Sequence, residues 1–220
     1  MYHYLTNADF RNKLKSEGTK LTQELCHQLK IDHGIGAIAQ LVGSAKRNMI
    51  TQNENGQVDM DYNLIIVKSP TWDGQELKDA VMHSFNKVLK KNGYKNCQDS
   101  TSVLSTGFWH FTKGNSSEYK FDIAIIKEDE YGNWHRLIHQ KTGWSQYDRW
   151  YWNQSPNTKN VKEKADYIKE QSKWQLVRDE YINLKNYNLK YNNTDLSSFV
   201  CYEQAVNNVF NQIYHGYYHY

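Results

Sequence analysis

Residues 58–67, which read VDMDYNLIIV, constrain this chain more than any other stretch. Branched and aromatic residues at this density predict a strand. Side chains alternate along a strand, so Asp59, Asp61 and Asn63 share one face and Met60, Tyr62 and Leu64 take the other. Two carboxylates at i and i+2 stand roughly 6.5–7 Å apart at the backbone. Their tips can therefore converge on a pair of cations about 3.5–4 Å apart. Hard carboxylate oxygens suit Mg²⁺, which shares its shell with phosphates and water.

The elements around this strand predict a mixed α/β half followed by a helical half. Thr6-Asn7-Ala8-Asp9 has the pattern of a capping box ahead of Phe10, Leu14, Leu21, Leu25 and Leu29 at helical spacing, with Gly18 as a break. Residues 35–42 (IGAIAQLV) read as a buried strand. Ser69-Pro70 reads as the start of a helix carrying Leu77, Val81, Phe85 and Val88, which ends near Asn92-Gly93. Residues 102–111, 119–126 and 134–139 read as strands, with a turn over 127–133. A Trp- and Tyr-rich connector containing Trp144, Trp150 and Trp152 follows. Beyond it, one helical pattern runs from Val161 to Leu184 and a second from Phe199 to Ile213, separated by an Asn/Tyr-rich linker over 186–193. These readings place a catalytic-type domain at 1–150 and a helical C-terminal domain at 151–220. The tail, His215 to Tyr220, is expected to be surface.

Composition narrows the function classes. The chain has 220 residues, 27 Lys+Arg against 24 Asp+Glu, and 14% aromatic residues with only 2 Pro. Disordered chains are poor in aromatics and rich in proline, so this one folds. A net charge of +3 does not mark a bulk nucleic-acid or membrane binder, and any polyanion must be met at a local site. Cys26, Cys97 and Cys201 lie far apart with no CxxC pair, which gives neither a disulfide framework nor a zinc motif. With no apolar run near the roughly 18 residues of a membrane span and no signal-like start, a cytoplasmic protein with reduced thiols is expected.

The strand over 35–42 runs into Gly43-Ser44. A turn into a helix there would offer backbone N–H groups, the positive end of the helix dipole and the Ser44 hydroxyl to a phosphate. Lys46 and Arg47 add positive charge in the same turn, although a solvated helix face would also account for them. A third acid, Asp122, sits within the apolar segment 119–126. An acid there is costly to bury unless something pairs with it. A metal is one partner and a lysine salt bridge another. For Asp59 and Asp61 the alternative is a solvent-facing edge strand.

Gly43-Ser44, Asp59-Met60-Asp61 and Asp122, in that order and spacing, resemble the DNA polymerase beta-like nucleotidyltransferase superfamily over roughly residues 35–127. The resemblance implies a mixed-sheet nucleotidyltransferase domain flanked by helices, with a helical domain behind it. It further implies that Asp59 and Asp61 hold two Mg²⁺ ions (Mn²⁺ as substitute). Asp122 would hold the catalytic ion and help activate the attacking hydroxyl, and Gly43 and Ser44 would bind the triphosphate of an NTP such as ATP. The reaction implied is transfer of a nucleoside monophosphate to an acceptor hydroxyl with release of pyrophosphate. The acceptor stays open among a small molecule, a nucleotide, RNA and a protein; near-neutral charge argues against a long polynucleotide. The alternative is a catalytically silent nucleotide- or protein-binding module of the same fold. The chain departs from the family pattern in a polar insert over 51–57, which puts the usual helix after Gly-Ser in doubt.

Other candidates are weaker. His135 and His139 fall in a strand pattern, where four residues span about 13 Å, too far for one tetrahedral ion. The Trp150-Tyr151-Trp152 cluster could stack a base or simply pack. Lys159, Lys162, Lys164, Lys169 and Lys173 form either a solvated helix face or a phosphate contact.

Overall fold

The computed structural model describes residues 1–193 and 196–214. In chain order the elements are β1 (Tyr2–Tyr4), α1 (Ala8–His33), β2 (Gly36–Leu41), α2 (Gly43–Lys46), β3 (Thr51–Asn53), β4 (Val58–Lys68), α3 (Gly74–Lys91), β5 (Gln98–Asp99), β6 (Leu104–Ser105), β7 (Tyr119–Glu128), β8 (Trp134–Gln140), β9 (Arg149–Gln154), α4 (Lys159–Glu170), α5 (Trp174–Lys190) and α6 (Ser198–Tyr214). They divide into two compact units. One comprises residues 5–50 and 55–155; the other comprises 1–4, 51–54 and the chain from Pro156 onward. The boundary expected at residue 150 thus falls inside β9, which pairs with β8 along its whole length.

The larger unit is a mixed α/β layer built on a seven-stranded sheet. β4 is an interior strand, antiparallel to β2 on one side and parallel to β7 on the other. β6 and β8 share the far edge of β7, and β9 continues from β8. Met60, Tyr62, Leu64 and Ile66 of β4 and Phe121, Ile123 and Ile125 of β7 are buried in the same core as Phe10, Leu14, Leu21, Leu25 and Leu29 of α1 and Leu77, Val81, Phe85 and Val88 of α3. Burying each such side chain is worth about 1.5–3 kcal/mol. Alternation along β4 and β7 then delivers the odd residues of β4 and the even residues of β7 to the opposite face.

Local chemistry explains where the elements begin and end. The first helix is capped by Asn7, whose Oδ1 accepts from the Phe10 amide at 2.9 Å, rather than by Thr6. It runs through Gly18 without a break. A Cβ on Gly18 would collide with the Tyr62 hydroxyl and stand 2.8 Å from Phe121, so glycine lets α1 lie directly against β4 and β7. α3 starts later than Ser69-Pro70, at the Asp73 cap, whose Oδ1 accepts from the Glu76 amide at 2.9 Å. The strand expected over 102–111 shortens to Leu104–Ser105 and an isolated bridge between Trp109 and Tyr119.

The aromatic connector is in part a strand. Trp150 on β9 stacks on His139 of β8 with ring centroids 4.3 Å apart. His139 is held between carboxylates, Nδ1 to Asp99 at 2.7 Å and Nε2 to Asp148 at 3.0 Å. Asp99 is also the ion-pair partner of Lys78, a lysine only 3% exposed. His135 pairs with Asp129 at 3.0 Å, so the two histidines serve separate carboxylates. Cys26, Cys97 and Cys201 are all free thiols.

The smaller unit holds the two-stranded β1–β3 sheet and α4–α6. Val161, Ala165 and Ile168 of α4, Val177 and Tyr181 of α5, and Cys201, Ala205, Val206 and Val209 of α6 are among its buried residues. The single helical pattern read from Val161 to Leu184 is two helices. Ser172, with φ of +56°, turns the chain between them. α5 extends to Lys190, so most of the expected 186–193 linker is helix. Asn186 is drawn into it because its side chain accepts from the Tyr2 amide at 2.6 Å and donates to the Tyr2 carbonyl at 3.1 Å. The expectation for His215–Tyr220 lies outside the described residues. No helix is long and apolar enough to cross a membrane among the described residues.

Gly18→Ala is expected to destabilise the protein by about 1–3 kcal/mol through overpacking against Tyr62 and Phe121, despite alanine's higher helix propensity. Urea denaturation of the two proteins measures this; a more stable variant would show that the close approach is not required.

Candidate functional site

The polar face of the large sheet gathers the three expected acids. β4 and β7 run parallel with Asp61 directly opposite Asp122 and Asp59 opposite Lys120. Asp61 and Asp122 therefore occupy neighbouring strands at the same height, roughly 4.8 Å apart at the backbone. β4 is covered on both sides, so it is not the edge strand that would leave its acids as simple solvent-facing residues. Asp59, nearer the strand's start, is more than half exposed in its side chain, and Asp122 only 12%.

Lys120, which sequence reasoning passed over, lies among these acids. Its Nζ donates to Asp122 Oδ2 at 2.8 Å and stands 3.8 Å from Asp59 Oδ1. This is the lysine salt bridge that was the alternative reading of Asp122. Burial alone would lower the Lys120 pKa, but the Asp122 hydrogen bond and the charges of Asp59, Asp122 and Asp61 raise it above the ordinary lysine value. The Asp61 carboxyl moves the other way from an ordinary ion-paired acid. Burial first, then the charges of Asp122 and Asp59, push its pKa up, against smaller opposing effects of Lys120 and Arg136. Signals for Lys120 and Arg136 existed in the sequence only as alternation, since Lys120 shares the parity of Asp122.

Two buried oxygens on this face have no hydrogen-bond partner: Asp122 Oδ1 and Asn63 Oδ1. Buried acceptors without partners are costly, and two on one face call for a cation or a donor. Oxygen donors of this kind are those that Mg²⁺ takes, so the donor chemistry fits the ion. The three aspartates do not bring one oxygen each within 4.8 Å of one another. Lys120 is the cation seated between Asp59 and Asp122 instead.

The Gly-Ser turn abuts the acids. Val42 N–H donates to the Asp61 carbonyl at 2.9 Å, which seats the turn on the end of β2 beside Asp61. Gly43 has φ of +64°, and a Cβ there would overlap Asp61 Oδ2. Glycine is thus required both by backbone conformation and by the carboxylate. Ser44 lies in the first turn of α2, half-buried. Lys46 ends α2 with its side chain exposed, and Arg47 follows, half-buried. The helix expected after Gly-Ser is only four residues long. The polar insert after it forms β3 and a turn, with β3 paired to β1.

The fold defined by this sheet, its covering helices and the following helical segment is that of the nucleotidyltransferases that make cyclic dinucleotides. The chain matches the STING-associated CdnE c-di-GMP synthase from Capnocytophaga granulosa with a TM-score of 0.58 and 17% identity, covering 90% of this chain and 59% of that one. It matches the Vibrio cholerae DncV cyclic AMP-GMP synthase bound to a linear intermediate with a TM-score of 0.54 and 11% identity, over 82% of this chain and 61% of that one. E. coli CdnC with ATP gives a TM-score of 0.54 and 13% identity, over 90% and 60%. The chain thus spans about three-fifths of the length of these structures. No protein-family model matches the sequence, and no curated protein matches it either.

The electrostatics of Asp61 set a stability test. A carboxyl whose pKa is raised on folding contributes stability below its unfolded value, and that contribution is lost as pH rises through the folded value. At neutral pH Asp61 therefore opposes folding. Asp61→Asn is expected to raise the melting temperature near pH 7, with the gain vanishing below about pH 4, the unfolded range of an aspartate. Thermal melts across pH decide it. A variant less stable than wild type at neutral pH, or a gain independent of pH, would contradict the assignment.

Proposed function

We propose that the protein is a nucleotidyltransferase that moves a nucleoside monophosphate from an NTP to an acceptor hydroxyl and releases pyrophosphate. The single observation that carries the reading is the placement of Asp61 opposite Asp122 on parallel strands, with Asp59 on the same face and Gly43 against Asp61. The fold shared with cyclic dinucleotide synthases supports it.

In this reading Asp59, Asp61 and Asp122 hold Mg²⁺, with Asn63 Oδ1 as an adjacent oxygen donor. When bound, the metal supplies charge neutralisation at the α-phosphate and lowers the pKa of the attacking hydroxyl. The chain's own residues do the positioning. The turn at Gly43 and Ser44 receives the triphosphate through backbone N–H groups, which can approach because position 43 has no Cβ. Lys46 and Arg47 add positive charge on the same side. Asp122, buried and opposite Asp61, faces the acceptor hydroxyl and orients it for in-line attack. Lys120 neutralises the acids in the absence of nucleotide, and its ammonium must yield Asp122 Oδ2 when substrate arrives.

The structural relatives favour a nucleotide as acceptor. One holds a linear pppA(3′,5′)pG intermediate, and others are named as dinucleotide synthases. The acceptor hydroxyl proposed here is accordingly that of a second nucleotide.

Incubation of the purified protein with each NTP, singly and in pairs, with Mg²⁺ or Mn²⁺, is expected to release pyrophosphate and yield a phosphodiester-linked nucleotide product. Asp61→Asn and Asp122→Asn should each slow turnover by about a hundredfold or more, since removing the metal's charge stabilisation costs several kcal/mol. Nucleotide binding without any turnover, or wild-type rates in both variants, would replace this reading with that of a silent binding module.

A further inference from the structure

We propose that Asp32, His33 and His83 form a second metal site, specific for a divalent transition ion of the zinc class and separate from the acid face. Asp32 and His33 are the last two residues of α1, and His83 lies in the middle of α3. One ligand atom from each lies within 4.8 Å of the others, and among the described residues this is the only group of three His, Cys, Asp or Glu that does so. The His33 and His83 rings meet edge-on, with centroids 5.7 Å apart.

An independent observation points to a ligand. His33 Nε2 is buried and has no hydrogen-bond partner. A ring nitrogen with no partner loses its hydration for nothing, and coordination to a cation is a remedy that its neighbours can complete. The site also sits at the C-terminal end of a 26-residue helix, where unpaired carbonyls favour positive charge.

The donor set selects the ion. Two imidazoles and one carboxylate are borderline donors suited to Zn²⁺, with water as a fourth ligand. Mg²⁺ prefers an all-oxygen shell, so the two metal chemistries divide between the two faces of the sheet. Zn–N distances of about 2.0–2.1 Å require ligand atoms about 3.3 Å apart in a tetrahedron. From separations within 4.8 Å, the three groups need close by no more than about 1.5 Å. His83 is exposed and can swing inward. Asp32 is paired with Lys87 at 2.9 Å, but the lysine side chain is half-exposed and can yield its place to the ion. A bound ion would staple the end of α1 to α3, the two helices whose apolar faces back β4 and β7.

Titration of the purified protein with Co²⁺ alone, a spectroscopic stand-in for Zn²⁺, tests this. The expected result is visible d–d absorption saturating at one equivalent and displaced by Zn²⁺. His83→Ala, a change at an exposed position, should weaken binding by about a hundredfold. Lys87→Met should tighten it several-fold by freeing Asp32. The Asp59→Asn/Asp61→Asn double variant should bind Co²⁺ as wild type does, and circular dichroism of each variant checks that it is folded. No absorption at millimolar Co²⁺, unchanged binding in His83→Ala, or loss of binding in the double aspartate variant would each overturn the site. The result is independent of nucleotidyl transfer, because the readout needs no NTP.

Discussion

Asp61 and Asp122 stand opposite one another on adjacent parallel strands, and that side of the sheet is shaped by the burial of Asp61 and by the charge of Asp122 beside it. Parallel pairing requires that the two strands be joined by a long crossover, which α3 and the segments after it supply. The even side chains of β4 and odd side chains of β7 are buried under α1 and α3, so a slip of one residue in either strand would drive a carboxylate into that core. Register is thus fixed by hydrophobic burial on one face, and the clustering of charge on the other follows from it. Lys120, carried on the same strand as Asp122 and two residues away, makes the cluster tolerable without cancelling it. Asp61 remains an acid with a raised pKa.

The arrangement illustrates how a sheet separates stability from function. α1, α3 and the apolar half of each central strand hold the larger unit together. The opposite half carries unsatisfied oxygens at Asp122 and Asn63, a glycine that cannot bear a Cβ, and like charges in register. Each lowers stability, and each concerns a residue within or next to the proposed nucleotide site. Buried groups that a fold leaves poorly satisfied are where ligand binding can be coupled to folding free energy.

Much of this was legible in the residue order. A period of two over 58–67 placed Asp59 and Asp61 on one face, because alternation is a property of the backbone and needs no tertiary information. The strand character of β2, β7 and β8 was legible for the same reason. Alternation put Lys120 on the face of Asp122, but its approach to Asp59 lies in a cross-strand register that only the folded sheet defines. β9 escaped notice because Arg149, Asn153 and Gln154 dilute its aromatic residues, and its stabilisation comes from stacking on His139 and pairing with β8. The break between α4 and α5 was hidden because Ile168 and Val177 remain in phase across a single left-handed residue at Ser172. Asn186 reads as a linker residue until Tyr2, far away in sequence, supplies both halves of its amide pairing.

The two units are interleaved along the chain. The backbone leaves one for the other at 4/5, 50/51, 54/55 and 155/156. No single cut can release either unit intact, and a chain truncated at residue 155 would retain β1 and β3 but lose the helices that complete their unit. The third of these segments, 51–54, is spliced between Arg47 and Asp59. In sequence, a four-residue piece of the helical unit therefore lies between the proposed phosphate turn and the acids. The chain between that turn and the acids therefore cannot be shortened across 51–54 without removing a strand of the other unit.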